Sequence, residues 1–137
     1  MTLDHPRIHA ASVLARAIEA ALPPDSAHPV WTASDASLSP DVDGPLTVVQ
    51  ATSAPAGHAR WLWLVDVTLV THGESPDAAW DAHAAAADAL LDLRRTTFDA
   101  ELIVSGASCT QEPDDVPGRP QDWAQVRSNY TLTLRSA

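Results

Sequence analysis

Residues 60–71 read RWLWLVDVTLVT, the longest apolar run in the chain. Its alternate positions Trp61, Trp63, Val65, Val67 and Leu69 are uniformly apolar, whereas Leu62, Leu64, Asp66, Thr68 and Val70 turn mixed halfway along. Successive side chains of a strand point to opposite faces, so the pattern predicts a central strand with one face in the core throughout. The other face is apolar only near Leu62 and Leu64. A loop of this chain or a neighbouring molecule is expected to cover it there.

Upstream of this strand, LTVVQA at 46–51 is a β-branched run after the turn-forming Asp43, Gly44 and Pro45, and SAPAG at 53–57 separates the two. The pair reads as a hairpin. Downstream, His72, Gly73 and Glu74 end the strand, Ser75 is a ready helix cap, and Pro76 sits at the first helical position. A helix is predicted over 76–95, with Trp80, Ala84, Ala87 and Leu91 on one stripe and Arg94 and Arg95 near the negative end of its dipole. Asp77, Asp81, Asp88 and Asp92 form a separate acidic stripe. Beyond them lie only Ala78, Ala82, Ala85 and Ala89, small enough for close approach of another element, such as the opening helix.

Asp4 and Pro6 open an earlier helix whose apolar positions Ile8, Ala11, Leu14, Ala15, Ile18 and Leu22 share one face, and Pro23 and Pro24 end it. Residues 25–44 form a long loop anchored by Trp31 and Leu38, which a short strand near 30–32 would shorten. ELIVSGASC at 101–109 predicts a third strand, and TQEPDDVPGRPQD at 110–122 a mobile acidic loop. WAQVRSNYTLTLR at 123–135 predicts the last strand, with Val126, Tyr130, Leu132 and Leu134 inward and Gln125, Arg127, Asn129, Thr131 and Thr133 outward. The order is α-β-β-α-β-β, an α+β domain with a twisted, mostly antiparallel sheet and both helices on one face.

One domain accounts for 137 residues with no internal shift of composition. No run is long enough for a membrane helix and no signal-peptide order opens the chain, so a soluble protein made in the cytoplasm is expected. The net charge of −10 and the absence of lysine argue against a phosphate-gripping surface. Cys109 is the only cysteine, which excludes an intrachain disulfide and reads as a small packed residue.

Chemistry finds little support. Gly106-Ala107-Ser108-Cys109-Thr110 lacks the second glycine of a nucleophile elbow, and five glycines form no phosphate loop, Gly57 and Gly73 reading as turn residues. Asp77, Asp81 and His83 do not share one side of their helix, so no metal site is expected. His5, His9, His28, His58 and His72 fall on termini and loops, where exposed histidines need no functional account. No cofactor, metal or enzymatic activity is expected. Arg127 and Arg135 against the acidic Glu112, Asp114 and Asp115 pair across the sheet or across subunits.

The opening helix HPRIHAASVLARAIEAAL, the hairpin with a long apolar second strand, the helix SPDAAWDAHAAAADALLDLR and the closing hairpin ending NYTLTLR together resemble the tail terminator, or tail completion, proteins of long-tailed bacteriophages. The resemblance covers most of the chain and rests on element order and strand character without an invariant motif. It implies a virion structural protein at the head–tail junction. Such a protein forms a hexameric ring that stops tail-tube growth and meets the head connector, while DNA passes through the lumen without specific binding. Leu62, Leu64, Glu112, Asp114, Asp115, Arg127 and Arg135 are then the candidate interface residues. The alternatives are another neck, minor tail or head-closure protein, and a small non-viral α+β ligand-binding module with a pocket beside Trp80.

Overall fold

The computed structural model of the chain describes residues 6–32, 44–56, 59–93, 97–99, 102–116 and 124–136. Helix α1 (Pro6–Ala21) leads through a 3-10 turn (Pro24–Ser26) into strand β1 (Val30–Thr32). Strands β2 (Leu46–Ala56) and β3 (Ala59–Gly73) follow, then helix α2 (Pro76–Leu91), then β4 (Thr97–Asp99), β5 (Leu102–Asp115) and β6 (Ala124–Ser136). The sheet order is β1-β2-β3-β6-β5-β4, with only β1–β2 parallel. This is the expected α+β fold, enlarged by two three-residue edge strands. The short strand at 30–32 was anticipated and β4 was not.

The 60–71 stretch is indeed central: β3 lies between β2 and β6. Its alternate residues Val65, Val67 and Leu69 join Val49, Val104, Tyr130, Leu132 and Leu134 in the core under α1 and α2. Both helices cover this face, with α1 over β1 and β2 and α2 over β3 and β6. Leu14, Ala15, Ile18 and Leu22 supply the buried face of the first helix as its periodicity predicted. Its expected cap Asp4 lies outside the described residues.

The boundaries differ where tertiary pairing overrides local turn chemistry. Residues 53–56, expected in a turn, continue β2, with Pro55 opposite Trp63 and a register irregularity at Pro55/Ala56. The proline is tolerated because β1 pairs only with residues 47–49, so this part of β2 is a sheet edge needing no outward donor. Likewise residues 110–115, expected in a mobile loop, extend β5 along β6 as far as Asp115 opposite Val126. Irregularities flanking Gln111 and Asp114 accommodate Pro113. The rest of that expected loop, and residues 33–43 of the earlier one, lie outside the described residues.

Helix α2 begins as predicted: the Ser75 hydroxyl accepts from the Ala78 amide at 3.1 Å, and Pro76 opens the first turn. It ends at Leu91, short of the expected Arg95, and Arg94 and Arg95 are outside the described residues. Its buried face is also rotated from the expected stripe. Ala79, Ala82, His83, Ala86, Ala87, Ala89 and Leu90 are buried, whereas Ala84 is exposed and Trp80 and Leu91 are only partly covered. With so much alanine, the wheel carried little contrast, although His83 does lie away from Asp77 and Asp81 as expected. Asp77, Asp81, Asp88 and Asp92 are exposed as expected.

Gly73 is not a turn glycine. It closes β3 in extended backbone, and a Cβ there would lie 2.7 Å from the Ala79 amide nitrogen, so its lack of a side chain lets α2 dock against the strand end. Gly44, at φ +80°, is the position that needs glycine for conformation.

Candidate functional site: a buried polar relay and an open sheet face

At the Gly73 end of the sheet the core side turns polar. Thr47 and Thr71 are direct partners in the β2–β3 register, and Ser128 stands opposite Leu69 one step along β6. All three hydroxyls point under α2 and are fully buried. The helix contributes His83, also fully buried, and the segment after the 3-10 turn contributes His28. His28 was expected on an exposed loop, yet it is buried and bonded.

The contacts form one continuous chain. His28 Nδ1 lies 2.8 Å from the Ser26 carbonyl, and His28 Nε2 2.8 Å from Thr47 Oγ1. Thr47 Oγ1 is 2.8 Å from Thr71 Oγ1, which is 2.9 Å from His83 Nδ1. His83 Nε2 is 2.6 Å from Ser128 Oγ, which is 2.6 Å from the Tyr130 hydroxyl. No buried side-chain nitrogen or oxygen among the described residues lacks a partner.

The direction of this chain is fixed from its His28 end. A carbonyl only accepts, so His28 Nδ1 carries a proton and, in the neutral ring, Nε2 accepts from Thr47. Thr47 then accepts from Thr71, and Thr71 from His83 Nδ1–H. At the far end the Ser128 hydroxyl donates to the Tyr130 hydroxyl oxygen.

The surroundings disfavour the charged form of both rings. Burial lowers the His83 pKa from 6.5 to about 4, helped by the nearby His28. Burial also lowers that of His28, opposed by its bond to the Ser26 carbonyl and by Glu19. Burial raises the Tyr130 pKa, opposed by its contact with Ser128. Ser128 and His83 have the spacing of a nucleophile and its base, but both are fully enclosed, so no substrate carbonyl reaches them.

Beside His28 is a cleft of about 280 Å³ lined by Asp25, Ser26, Ala27, His28, Pro45, Ala78, Asp81 and Ala82. It meets the relay at His28. Trp80 does not line it; its indole Nε1 donates instead to Asp115 Oδ1 at 2.7 Å, tying α2 to the end of β5. Among the described residues no group of three or more His, Cys, Asp or Glu is placed to hold a metal ion.

The opposite face of the sheet bears no described helix. Thr68 Oγ1 donates to Asn129 Oδ1 at 2.8 Å, Asn129 Nδ2 donates to Gln111 Oε1, and Thr131 Oγ1 donates to Asp66 Oδ1 at 3.2 Å. Leu64 stands in this face and is 43% exposed, the only exposed large hydrophobic side chain among the described residues. Leu62 is two positions away in β3, its side chain outside those described. The apolar part of the outer face is larger than expected, for Leu46 and Val48 also belong to it by register with His72 and Val70, and both are buried. Burial lowers the His72 pKa there.

The seven interface candidates fall into two groups at opposite ends of the sheet. Leu62 pairs with Arg135 and Leu64 with Thr133 near the β2–β3 turn. Asp114 stands opposite Arg127 at the other end, with Glu112 and Asp115 on the same strand. Arg127 therefore neighbours an acidic residue across its own sheet. Arg135, about 26 Å away along β6 at the usual strand rise, does not reach the acidic segment within the chain. Cys109 is exposed, contrary to its expected packing. The sequence matches no model of a known protein family and no curated protein to significance.

Proposed function

We propose that this chain is a virion structural protein, a tail terminator that acts by assembling into a ring at the head-proximal end of a phage tail tube. Leu64 carries the reading: a leucine at mid-strand in the central β3, exposed on the side away from both helices, is a surface suited to a neighbouring subunit. Two further features support it. Beyond β1 and β4, no described strand covers residues 50–56 of β2 or 104–115 of β5, so both sheet edges are available for contacts. The candidate residues also divide between the two ends of the sheet, as head-to-tail contacts in a closed ring require.

The acidity fits a lumen that DNA crosses without sticking, and the enclosed Ser128–His83 pair fits a role without chemistry. Head connector and tail tube protein are the partners this role requires. The rival ligand-binding reading needs space between α2 and the sheet. That interface is filled by Ala79, Ala86, Leu90 and the relay, and the cleft lies only at its margin.

The test is Leu64→Glu, with assembly followed by sedimentation and folding by thermal melting. Lost assembly with an unchanged melting temperature supports the proposal. Equal loss of both would show that Leu64 serves the subunit's own stability.

A further inference from the structure

The cleft beside His28 is framed by the 3-10 turn and the residues after it, by Pro45 ahead of β2, and by the first two turns of α2. Pro45, Ala78 and Ala82 give it apolar walls, while Asp25 lines it from the turn and Asp81 from the helix. Both nitrogens of His28 are already bonded within the fold, to the Ser26 carbonyl and to Thr47 Oγ1, so the ring offers the cleft no free acceptor. The two carboxylates are left as its charged groups, and neither has an ion pair among the described residues. With His28 they form no group placed to hold a metal ion. A cation suited to them must spread its charge and its donors, as a guanidinium does with five N–H groups in one plane. At about 280 Å³ the cleft falls below the roughly 300–1,000 Å³ of pockets that enclose a small molecule, and its size suits a single side chain.

The chain contains no lysine, so a basic side chain supplied by another copy is an arginine. Among the arginines whose side chains are described, Arg16, Arg127 and Arg135 are all exposed. Arg16 has Glu19 one turn along α1, and Arg127 has Asp114 opposite in its own sheet. Arg135 has neither: its partners across the two ladders are Leu62 and Ile103. It also adjoins the exposed Leu64, which pairs with Thr133 two positions before it.

The cleft lies at the other end of the sheet. His28 bonds Thr47, which pairs with Thr71, which stands opposite Val126, and Arg135 is about 30 Å from Val126 along β6 at the usual strand rise. The two sites are therefore too far apart to meet within one chain. Between copies they meet head to tail, the kind of contact that closes a ring.

We propose that Arg135 of one copy enters the cleft of the next, with its guanidinium between Asp25 and Asp81 and its stem along Pro45, Ala78 and Ala82. This contact rests on the ring assembly proposed above and adds to it the site that receives each neighbour.

Sedimentation of the full chain over a concentration series, alone and with tail tubes, tests the contact, and melting curves show that each variant folds. Arg135→Ala weakens assembly about tenfold or more. Asp25→Asn with Asp81→Asn weakens it to a similar extent, and all three substitutions together lose no more than either set alone, because the partners of one contact are coupled. Both losses shrink as ionic strength rises. Asp114→Asn with Asp115→Asn shows no such coupling to Arg135→Ala. An assembling chain that loses nothing in the cleft variants, or in which their loss simply adds to that of Arg135→Ala, overturns the contact and leaves the ring standing. Coupling of Arg135 to Asp114 and Asp115 instead does the same. A natural chain that never assembles overturns both.

Discussion

Gly73→Ala is the most local test of how the sheet meets its helix. The added Cβ would sit 2.7 Å from the Ala79 nitrogen, 3.0 Å from its Cα and 3.1 Å from its Cβ. Two of these neighbours are backbone, held on both sides. Gly73 is paired with Ala124 at the end of the β3–β6 ladder, and the Ala79 amide bonds the Ser75 carbonyl at 3.0 Å in the first turn of α2. Relief requires the strand end and helix to part by several tenths of an ångström, at a cost of about 1–3 kcal/mol. For a domain of this size that lowers the melting temperature by roughly 3–10 °C. Gly106→Ala is the control, since its nearest neighbours are Thr133 side-chain atoms at 3.8 Å, an ordinary contact. Near-ultraviolet circular dichroism melts of both variants measure the difference. A Gly73→Ala protein melting with the natural chain, or no lower than Gly106→Ala, would refute the close docking of α2 on β3.

Ser75→Ala removes the hydroxyl that accepts from the Ala78 amide, so a loss of about 1 kcal/mol in urea unfolding is expected, with faster exchange at Ala78. Relay positions should differ by what each leaves behind. Thr71→Val strands the His83 Nδ1 proton in a buried site and should lose about 1–3 kcal/mol. Tyr130→Phe removes the hydroxyl that accepts from Ser128, which keeps His83 Nε2 as a partner, and should lose about 1 kcal/mol or less beyond its packing change. An equal loss in the two, measured by urea midpoints, would contradict this difference.

The frame of the fold was legible because its signals were redundant. The period-two run of β3, the Ser75–Pro76 helix start and the Pro23–Pro24 stop each name an element by local chemistry that the tertiary structure leaves intact. Residues 53–56 and 110–115 misled because proline and acidic residues are tolerated at a sheet edge when a long partner strand offers a template. The relay had a readable trace that periodicity alone passes over: Thr47, Thr71 and Ser128 are hydroxyls at core-facing positions of three strands, interrupting otherwise apolar sets. What joins them, His28 and His83, lies far apart in sequence on a loop and on an alanine-rich helix without contrast between its faces. Only the docking of α2 brings them together. The place of Leu64 on the face away from the core was anticipated from the alternation of β3, whereas the buried outer-face pair Leu46 and Val48 was not, since 46–51 alone does not say which of its residues face which side.

Ring assembly at the tail end is the central proposal, and it is tested most directly by mixing the purified chain with tail tubes that lack a terminator and imaging them by negative-stain microscopy, with masses measured in parallel. A ring-sized cap at one end of the tubes, lost in Leu64→Glu, is the result predicted. A chain that stays monomeric at high concentration and never caps a tube would contradict it.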